Sequence, residues 1–368
     1  MTKIDPWEIK GDIDYDKLFK EFGIKPLEHL PKKFYENILF RKKTIFAHRD
    51  YKQIVECIQE KKPFVMMTGL MPTGKMHIGH MLVALQMIFY QKMGAKVYIA
   101  VADVEAHNAR GQSFEESKRI AMEEYIPNYI ALGLEPKNCE IYFQSNRSKD
   151  SKKSNAYYRL QNELARHVTF SEFKAVYGEI TPGKMLAALL QAADMFHPQL
   201  PEFEGPIPTV IPVGVDQDPH IRLARDICKR YKTSKFEQIS STYHKFLPGL
   251  TGGKMSASDP SSYIALNDTS SQAKKKINKF AFSGGQPTLE EHRKKGGNPD
   301  IDISYQYLNL FFEDDDEKLK QIYQDYKSGK LLSGELKAIL IEKLGKFLDE
   351  LAVKREKAKS RIKDFISN

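Results

Sequence analysis

The sequence is poor in cysteine and has no long hydrophobic run. Its only cysteines, Cys57, Cys139 and Cys228, lie far apart and outside any CxxC or Cys/His pairing, which argues against a disulfide framework and against a zinc cluster. The longest apolar stretches, such as MLVALQMIFY at 81–90, are far shorter than the roughly 20 residues that cross a bilayer. We therefore expect no membrane span. No secretory signal is recognisable at the N-terminus, so a cytoplasmic location is expected.

The composition is that of an ordinary globular protein. The 368 residues are 41% hydrophobic and 29% charged, which excludes collagen-like, fibrous and wholly disordered chains. Domains commonly span about 100 to 200 residues, so this length predicts two domains. Lysine and arginine number 57 against 48 acidic residues, a formal charge of +9. This excess permits a nucleic acid as partner, although lysine-rich surfaces also serve solubility alone.

Short apolar segments alternate with helical patterns in the middle of the chain. FVMMTG at 64–69, KVYIAVAD at 96–103, EIYFQS at 140–145 and PTVIPVGVD at 208–216 are typical of buried strands. A helical stretch between the first two ends at Gly94. The alternation predicts βαβ units and a Rossmann-type α/β fold with a doubly wound parallel sheet. Ligands of such sheets bind beyond the carboxyl ends of the strands.

The same patterns divide the chain into domains. The doubly wound domain is expected over 56–265, with a helical insertion at about 146–207 whose LLQAADMF segment forms a helix facing the site. Strand signals fade after about Asp268, so 266–368 is expected to be an all-helical C-terminal domain. Residues 1–55 show no long periodic segment and are interpreted as an N-terminal appendage.

The segment GLMPTGKMHIGH, residues 69–80, lies between a predicted strand and a predicted helix. Its first part has the spacing of a phosphate-binding P-loop, but Met76 stands where a P-loop needs the Ser or Thr that holds magnesium. The helix begins instead with His77, Gly79 and His80. Two hydrogen-bonding side chains flanking a glycine at the positive end of a helix suit the phosphates of a nucleotide. Alternatively, the two histidines only cap the helix.

A second glycine-rich segment, LTGGKMSASDP at 250–260, presents Lys254, Ser256 and Ser258. Taken alone, it is equally typical of a surface turn. Its order after the first motif, with an α/β core between them, favours a shared nucleotide site.

The two motifs resemble the HIGH and KMSKS signatures of class I aminoacyl-tRNA synthetases. The resemblance covers nearly the whole chain, since further segments look like the archaeal and eukaryotic tryptophanyl-tRNA synthetases. These segments are DPWEIKGDIDYDKLFKEFG, IFAHRDY, GVDQDPHIRLARD, AFSGGQPTLEEHRKKGG and the FFEDDD run. The resemblance implies a Rossmann catalytic domain, a helical anticodon-binding domain and a homodimer. It implies ATP-dependent activation of L-tryptophan, with Mg²⁺ accompanying the nucleotide, and transfer to tRNA(Trp).

The resemblance also implies roles for individual residues. His77 and His80 would contact the phosphates, Gly79 the adenine, and Lys254 with Ser256 the leaving pyrophosphate. Gly214 and Asp216 resemble the ribose-binding pair of the family, although Asp216 is also a candidate helix N-cap. The ATP-binding residues implied in this way are Thr73, Gly79, Gly214, Asp216, Lys254, Met255 and Ser258.

The amino-acid pocket departs from the resemblance. Glu105, Gln191 and Gln217 match positions that contact the amino acid, but Met67 and Ala100 stand where the subgroup usually has a tyrosine and a glutamine. Asp194 falls where other members place a carboxylate that contacts the polar edge of the ring. We hypothesise that Asp194 accepts the indole N–H, while Met67 and Ala100 leave apolar room for the bicyclic ring. The alternative is a carboxylate on a helix surface.

Other interpretations remain open from the sequence alone. Asp314, in the FFEDDD run, is a candidate reader of an anticodon base or simply part of an acidic helix start. Tyrosine is the alternative amino acid, although the absence of a tyrosine at Met67 favours tryptophan. A P-loop NTPase and a pure RNA-binding module are the alternatives from other classes.

Overall fold

A central sheet of seven strands organises the computed structural model. The structure describes residues 19, 20, 22–253, 255 and 259–366, together with a two-stranded ladder of β1 (Lys3–Ile4) and β2 (Ile9–Lys10). The large sheet has the spatial order β3-β4-β9-β8-β5-β6-β7. Its strands are β3 (Lys25–Pro26), β4 (Ile45–Arg49), β5 (Val65–Leu70), β6 (Lys96–Val101), β7 (Cys139–Phe143), β8 (Thr209–Gly214) and β9 (Ser240–His244).

The five strands β9, β8, β5, β6 and β7 are mutually parallel, and they form the doubly wound core. The chain runs from β5 outward through β6 to β7, and then returns to place β8 on the other side of β5. The topological switch point of the sheet therefore lies between β5 and β8, where such sheets open a crevice at their carboxyl ends.

Helices connect these strands, and glycines end several of them. After the 3₁₀ turn Ile78–His80, α3 connects β5 to β6, and Gly94 with φ 99° follows its end. Only glycine adopts this left-handed backbone at little cost. The helices of this part are α1 (Ile38–Arg41), α2 (Lys52–Glu60), α3 (Met81–Lys92), α4 (Asp103–Arg110), α5 (Phe114–Ile120), the π-helical turn Ala121–Tyr125 and α6 (Ile126–Leu132).

The segment between β7 and β8 is helical. It contains α7 (Ser151–Ala165), α8 (Phe170–Tyr177) and α9 (Pro182–Phe196). Thr181 caps α9 by accepting the N–H of Lys184, and Pro182 occupies the first turn, where a missing N–H costs nothing. The buried face of α9 packs on α7 and α4, so this helix faces the switch point. The 3₁₀ turn Val215–Gln217 and α10 (Asp218–Arg230) then lead from β8 to β9.

The C-terminal region is helical from residue 270 onward. It comprises α11 (Ser270–Phe280), α12 (Leu289–Lys295), α13 (Ile303–Tyr307), the π-helical turn Leu308–Phe312, α14 (Asp316–Lys327), α15 (Ser333–Lys359) and the 3₁₀ turn Ile362–Asp364. Leucines of α15 belong to the same hydrophobic cluster as the outer face of the sheet, and Ile366 bridges to Ile141 of β7. The Rossmann-type fold followed by a helical region is confirmed.

Part of the segment 1–55 that the sequence assigned to an appendage lies inside this architecture. β3 and β4 extend the sheet as antiparallel strands beyond β9, and Phe34, Leu39 and Phe40 are fully buried in the main core. Their pattern is short and interrupted by prolines, so it lacks the periodicity by which longer elements are recognised.

Within the part of the chain that the structure describes, no helix combines the length and the apolar character that crossing a membrane requires.

Candidate active site

A cavity of about 410 Å³ opens at the switch point between β5 and β8. Its volume lies in the range of small-molecule sites. One wall is formed by the ends of β5 and β8, and the opposite walls by α3, α4, α9, and the start of α10. The residues lining it include Met67, Gly69, Val83, Glu105, Arg110, Gln144, Gln191, Asp194, Gly214, Asp216, Gln217, His220, His244 and Phe246.

Two stacked imidazoles stand at the start of α3. The rings of His77 and His80 are 3.8 Å apart between centroids and inclined by 30°. The backbone N–H of His77 donates to His80 Nδ1 at 3.0 Å, so the capping interpretation is correct for that nitrogen. Because Nδ1 accepts, neutral His80 carries its proton on Nε2. His77 Nδ1 is buried and has no hydrogen-bond partner within the described residues.

Both imidazoles are neutral at physiological pH. Burial, together with the neighbouring His80, lowers the pKa of His77 to about 2, and burial lowers the pKa of His80 to about 4. Neutral rings act on a phosphate as N–H donors rather than as cations. Through these N–H groups they can stabilise negative charge that develops on a phosphate oxygen, without adding a fixed positive charge to the site.

The two sequence motifs meet over Gly79. A Cβ added there would lie 3.0 Å from the His77 ring and 3.0 Å from Met255 Sδ, so only glycine fits without displacing them. Met255, from the second motif, therefore lies against the first. The other predicted residues of this loop, Lys254, Ser256 and Ser258, lie outside the described residues.

The chain that follows the second motif is hydrogen-bonded to the first. The N–H of Ile78 donates to the carbonyl of Ile264 at 3.1 Å, and the N–H of Leu266 donates to the carbonyl of Met76 at 2.8 Å. The ring of Tyr263 lies 5.1 Å from that of His77. The segment 263–266 is therefore hydrogen-bonded to the first motif and packed against the His77 ring.

Gly214 and Asp216 adjoin each other at the end of β8. A Cβ at Gly214 would lie 2.6 Å from Asp216 Oδ1, so the absence of a side chain lets the carboxylate lie against the backbone. Gln217 donates from Nε2 to Asp216 Oδ2 at 3.3 Å. The next helix begins at Asp218 without a side-chain capping bond. The interpretation of Asp216 as a helix cap is therefore wrong.

Asp194 is a buried carboxylate inside the cavity wall, with 3% of its surface exposed. Tyr142 and Tyr157 both donate to Oδ1 at 2.6 Å, and Gln144 Nε2 donates to Oδ2 at 2.7 Å. Burial raises the pKa of Asp194 to about 6 against the lowering effect of these bonds. A carboxylate offers about four acceptor positions, so Oδ2 retains capacity for one further donor. The interpretation as a surface carboxylate is wrong.

The remaining predicted pocket residues are distributed around this carboxylate. Met67, Glu105 and Gln191 line the cavity. Burial, and secondly the charge of Asp194, raises the pKa of Glu105 to about 7. Ala100 differs from the expectation: it is fully buried in a cluster with Met67 and lies outside the cavity wall formed by the described residues. Its small side chain packs behind the pocket.

His244 is a cavity residue that sequence reasoning missed. It ends β9 beside Gly214, and burial lowers its pKa to about 4. The Oε1 atom of Gln86 accepts a hydrogen bond from the hydroxyl of Thr242. Its Nε2 donates to the carbonyl of Leu82 and, at 3.2 Å, to His244 Nδ1. His244 therefore carries its proton on Nε2, next to the predicted ribose-binding pair. The signal lay in a polar strand, SSTYH, with no apolar run to mark it.

Among the described residues, several that the sequence predicted for the site lie outside the cavity wall: Thr73, His77, Gly79, His80, Met255 and Asp314, besides Ala100. Thr73, in the loop after β5, is half-buried, and its carbonyl accepts from Tyr125 Oη at 3.0 Å. Asp314 is exposed and accepts from Arg41 at 3.0 Å, and the neighbouring Asp315 caps α14. Asp314 is thus not the cap of that helix.

The family model for class I tRNA synthetases (W and Y), the enzymes for tryptophan and tyrosine, matches residues 59–349. The chain belongs to this family. It is 44% identical over 365 residues to the tryptophan–tRNA ligase of Methanocaldococcus jannaschii, covering 98% of this chain and 96% of that protein. It is 45% identical to the tryptophan–tRNA ligase of Aeropyrum pernix, with coverages of 97% and 96%.

The fold comparison agrees with the sequence comparison. The crystal structure of tryptophanyl-tRNA synthetase from Aeropyrum pernix superposes with a TM-score of 0.90 at 43% identity, and the match covers 96% of both chains. The predicted resemblance is confirmed. Membership of the class I synthetases accounts for both nucleotide motifs, so neither the P-loop NTPase nor the pure RNA-binding module is favoured.

Proposed function

We infer that this chain is a tryptophan–tRNA ligase, which activates L-tryptophan with ATP and transfers it to tRNA(Trp). The substrate assignment depends on the buried carboxylate of Asp194, which is held by three donors in a cavity that Gly69 and Met71 of the first motif also line. We propose that the amino acid lies in this cavity and that the nucleotide lies beside it, towards the imidazoles of the same motif. The relatives at 44% and 45% identity carry the same activity in their names.

The first step forms a bond between the tryptophan carboxylate and the α-phosphorus of ATP, and the bond to pyrophosphate breaks. Charge moves onto the departing phosphates, so the protein must position the reactants and stabilise that charge. We propose that the Nε2–H of His80 and the ring of His77 donate to phosphate oxygens. Lys254 and Ser256, on the second motif, are proposed to contact the pyrophosphate.

The adenosine would lie between Gly79 and the end of β8. Met255 covers Gly79 in this structure, so we propose that this side chain moves aside or packs on the adenine. Asp216, lying against Gly214, is proposed to accept from the ribose hydroxyls, and His244 adds an N–H donor on the same side of the cavity. Thr73 is proposed to assist at the triphosphate.

The amino-acid side chain is proposed to enter between Met67 and Asp194. A buried indole N–H that lacks an acceptor would cost about 1 to 3 kcal/mol, and Oδ2 of Asp194 has room for one more donor. Glu105, Gln191 and Gln217 line the same cavity and are proposed to hold the ammonium and carboxylate groups.

Magnesium is proposed to arrive with ATP, coordinated mainly by phosphate oxygens, as is usual for this ion. Within the described residues no group of three His, Cys, Asp or Glu side chains is arranged to hold a metal. The second step joins the tryptophanyl group to a terminal ribose hydroxyl of tRNA and releases AMP. Residues 266–368 are proposed to bind the anticodon, with Asp314 as a candidate base contact, and the protein is proposed to act as a homodimer.

The activity is tested by exchange of labelled pyrophosphate into ATP with each of the twenty amino acids in turn. Tryptophan is expected to support exchange, because its side chain is proposed to bind between Met67 and Asp194. Exchange with tyrosine alone would transfer the assignment to the tyrosyl enzymes, and ATP hydrolysis without any amino acid would contradict the synthetase assignment. A Gly79→Ala variant, whose Cβ would press on His77 and Met255, serves as the inactive control.

A further inference from the structure

We propose that a basic groove beside the active-site cavity receives the single-stranded 3′ end of tRNA. The proposal rests on the proposed function and adds the side from which the RNA approaches. The groove has a volume of about 770 Å³. It is lined by Asp103, Phe114, Glu115, Lys118, Met122, Phe143, Ser145, Asn146, Lys149, Lys359, Ser360, Ile362, Lys363 and Ile366.

Three parts of the chain build the groove. The carboxyl end of β7 supplies Phe143, α5 supplies Lys118, and the C-terminal segment after α15 supplies Lys363. The C-terminal segment is fixed to the sheet, because Ile141 of β7 donates its N–H to the carbonyl of Phe365 at 2.7 Å. The groove is therefore a built concavity on the carboxyl edge of the sheet, the same edge that carries the cavity.

The charge of the groove is positive. Lys118, Lys149 and Lys363 are exposed, and among the described residues none of them has an ion pair or hydrogen-bond partner. The fourth lysine, Lys359, is paired with Glu356 at 2.7 Å. Exposed lysines grouped around a concave surface concentrate a field that attracts phosphate groups.

Two acidic residues, Asp103 and Glu115, line the groove, and one of them already has hydrogen-bond partners. The Asp103 carboxylate accepts from the hydroxyl of Ser145 and also from its backbone N–H at 3.1 Å, and it is 1% exposed. Among the described residues that line the groove, Glu115 is therefore the one exposed carboxylate facing the three unpaired lysines. The balance favours an anionic ligand.

A single helix separates the groove from the cavity. Asp103, at the start of α4, lines the groove, whereas Glu105 and Arg110 of the same helix line the cavity. A helix with its side chains is about 10 Å across. An unpaired RNA end of a few nucleotides is long enough to cross it, and so to bring its terminal ribose from the groove to the adenylate.

An aromatic pair lies at this crossing. The rings of His107 on α4 and Phe114 on α5 are stacked, with centroids 4.7 Å apart and planes 20° apart. Phe114 is 38% exposed and lines the groove. Unpaired bases stack on exposed aromatic rings whatever their identity. Lysines for phosphates with an aromatic face for a base match a single RNA strand better than a small anion.

The test separates the two steps of the reaction. A triple variant, Lys118→Ala, Lys149→Ala and Lys363→Ala, is measured for tRNA charging and for tryptophan-dependent pyrophosphate exchange. The KM for tRNA is expected to rise roughly tenfold or more, and its salt dependence to weaken by about 0.7 in logarithmic slope per lost phosphate contact. Exchange, which needs no tRNA, is expected to remain within about twofold of wild type. Phe114→Ala is expected to lower charging at every salt concentration.

A matched control removes the same charge elsewhere. Lys52, Lys92 and Lys229 are exposed lysines on other helices, and their triple alanine variant is expected to charge tRNA as wild type does. Equal KM values for tRNA in the two triple variants would overturn the proposal. So would a parallel loss of exchange, or a change of oligomeric state by light scattering that shows the groove to be a subunit contact. A wild-type protein without tryptophan-dependent exchange would instead overturn the proposed function itself.

Discussion

At the scale of single residues, the substrate assignment depends on one acceptor position. Tyr142 and Tyr157 donate to Oδ1 of Asp194, and Gln144 donates to one of the two acceptor positions of Oδ2. The three donors keep the carboxylate oriented and lower the cost of its burial, so it can meet an indole N–H without rearrangement. Met67 provides no competing hydroxyl, which agrees with a bicyclic apolar ring rather than a phenol.

We predict that Asp194→Asn lowers kcat/KM for tryptophan in pyrophosphate exchange about 10- to 100-fold, because an amide N–H then faces the indole N–H at a cost of about 1 to 3 kcal/mol. The KM for ATP is expected to change little. Tyr157→Phe is the control, since it removes one donor to Oδ1 and leaves Oδ2 in place. Unchanged tryptophan kinetics in Asp194→Asn would transfer the role to Glu105 or Gln191.

The assignment of Asp194 as the indole acceptor also predicts how activity depends on pH. The pKa of Asp194 is raised to about 6 and that of Glu105 to about 7, so wild-type kcat/KM for tryptophan is expected to fall as the pH is lowered through this range, where both acceptors take up protons. In Asp194→Asn the step near pH 6 is expected to disappear, leaving the step that belongs to Glu105. An identical profile in both proteins would show that Asp194 does not titrate in the site.

At the scale of elements, the apolar strands were predictable and the polar one was not. β5, β6 and β8 are buried runs of mainly apolar residues. β9 instead buries Ser240 and Thr242, whose hydroxyls donate to the Asp50 carbonyl at 2.6 Å and to Gln86 Oε1 at 3.3 Å. The hydrogen-bond partners of such buried hydroxyls are distant in sequence, so no local sequence pattern predicts the strand. His244 was missed with this strand.

Much of the candidate site could also be predicted, since its motif residues are contiguous in sequence. The donors to Asp194 could not, because Tyr142 and Tyr157 lie 52 and 37 residues away from it. Their convergence results from the packing of β7 and α7 against α9, which a single sequence does not encode in any spacing. The same holds for Gln86 and His244.

The link between the two motifs is also an element-scale feature. Lys276 of α11 donates to the carbonyl of Tyr263 at 3.2 Å and to Asp268 at 2.5 Å, and Asp268 in turn accepts the N–H of Ala265 at 3.0 Å. Asp268 is 8% exposed. The ion pair thereby fixes the segment that is hydrogen-bonded to Met76 and Ile78, on either side of His77.

We predict that Lys276→Met lowers both the melting temperature and the rate of pyrophosphate exchange, because it leaves a largely buried carboxylate without its cation. Asp268→Asn combined with Lys276→Met removes that charge and is expected to recover much of the melting temperature. Exchange is expected to recover less, because the carbonyl of Tyr263 still lacks its hydrogen bond from Lys276. Thermal denaturation and exchange on the three proteins measure this. A Lys276→Met variant as stable and as active as wild type would contradict the proposed link between the two motifs.

At the scale of the whole molecule, the fold brings one crevice into contact with three separate parts of the chain. The first motif follows β5, the proposed ribose-binding pair follows β8, and the helical insertion supplies α9 with its carboxylate. The C-terminal helices share a hydrophobic cluster with the sheet and help to form the basic groove beside the crevice. We propose that this arrangement places the amino acid, the nucleotide and the incoming RNA end next to one another.

The most direct measurement is a crystal structure of the protein with a non-hydrolysable analogue of tryptophanyl-adenylate. We predict that the indole nitrogen lies about 3 Å from Asp194 Oδ2, within hydrogen-bond distance. The phosphate mimic is expected to contact His77 and His80, and the ribose to contact Asp216. An indole ring bound away from Asp194, or a phosphate mimic on the far side of the sheet from the imidazoles, would contradict it.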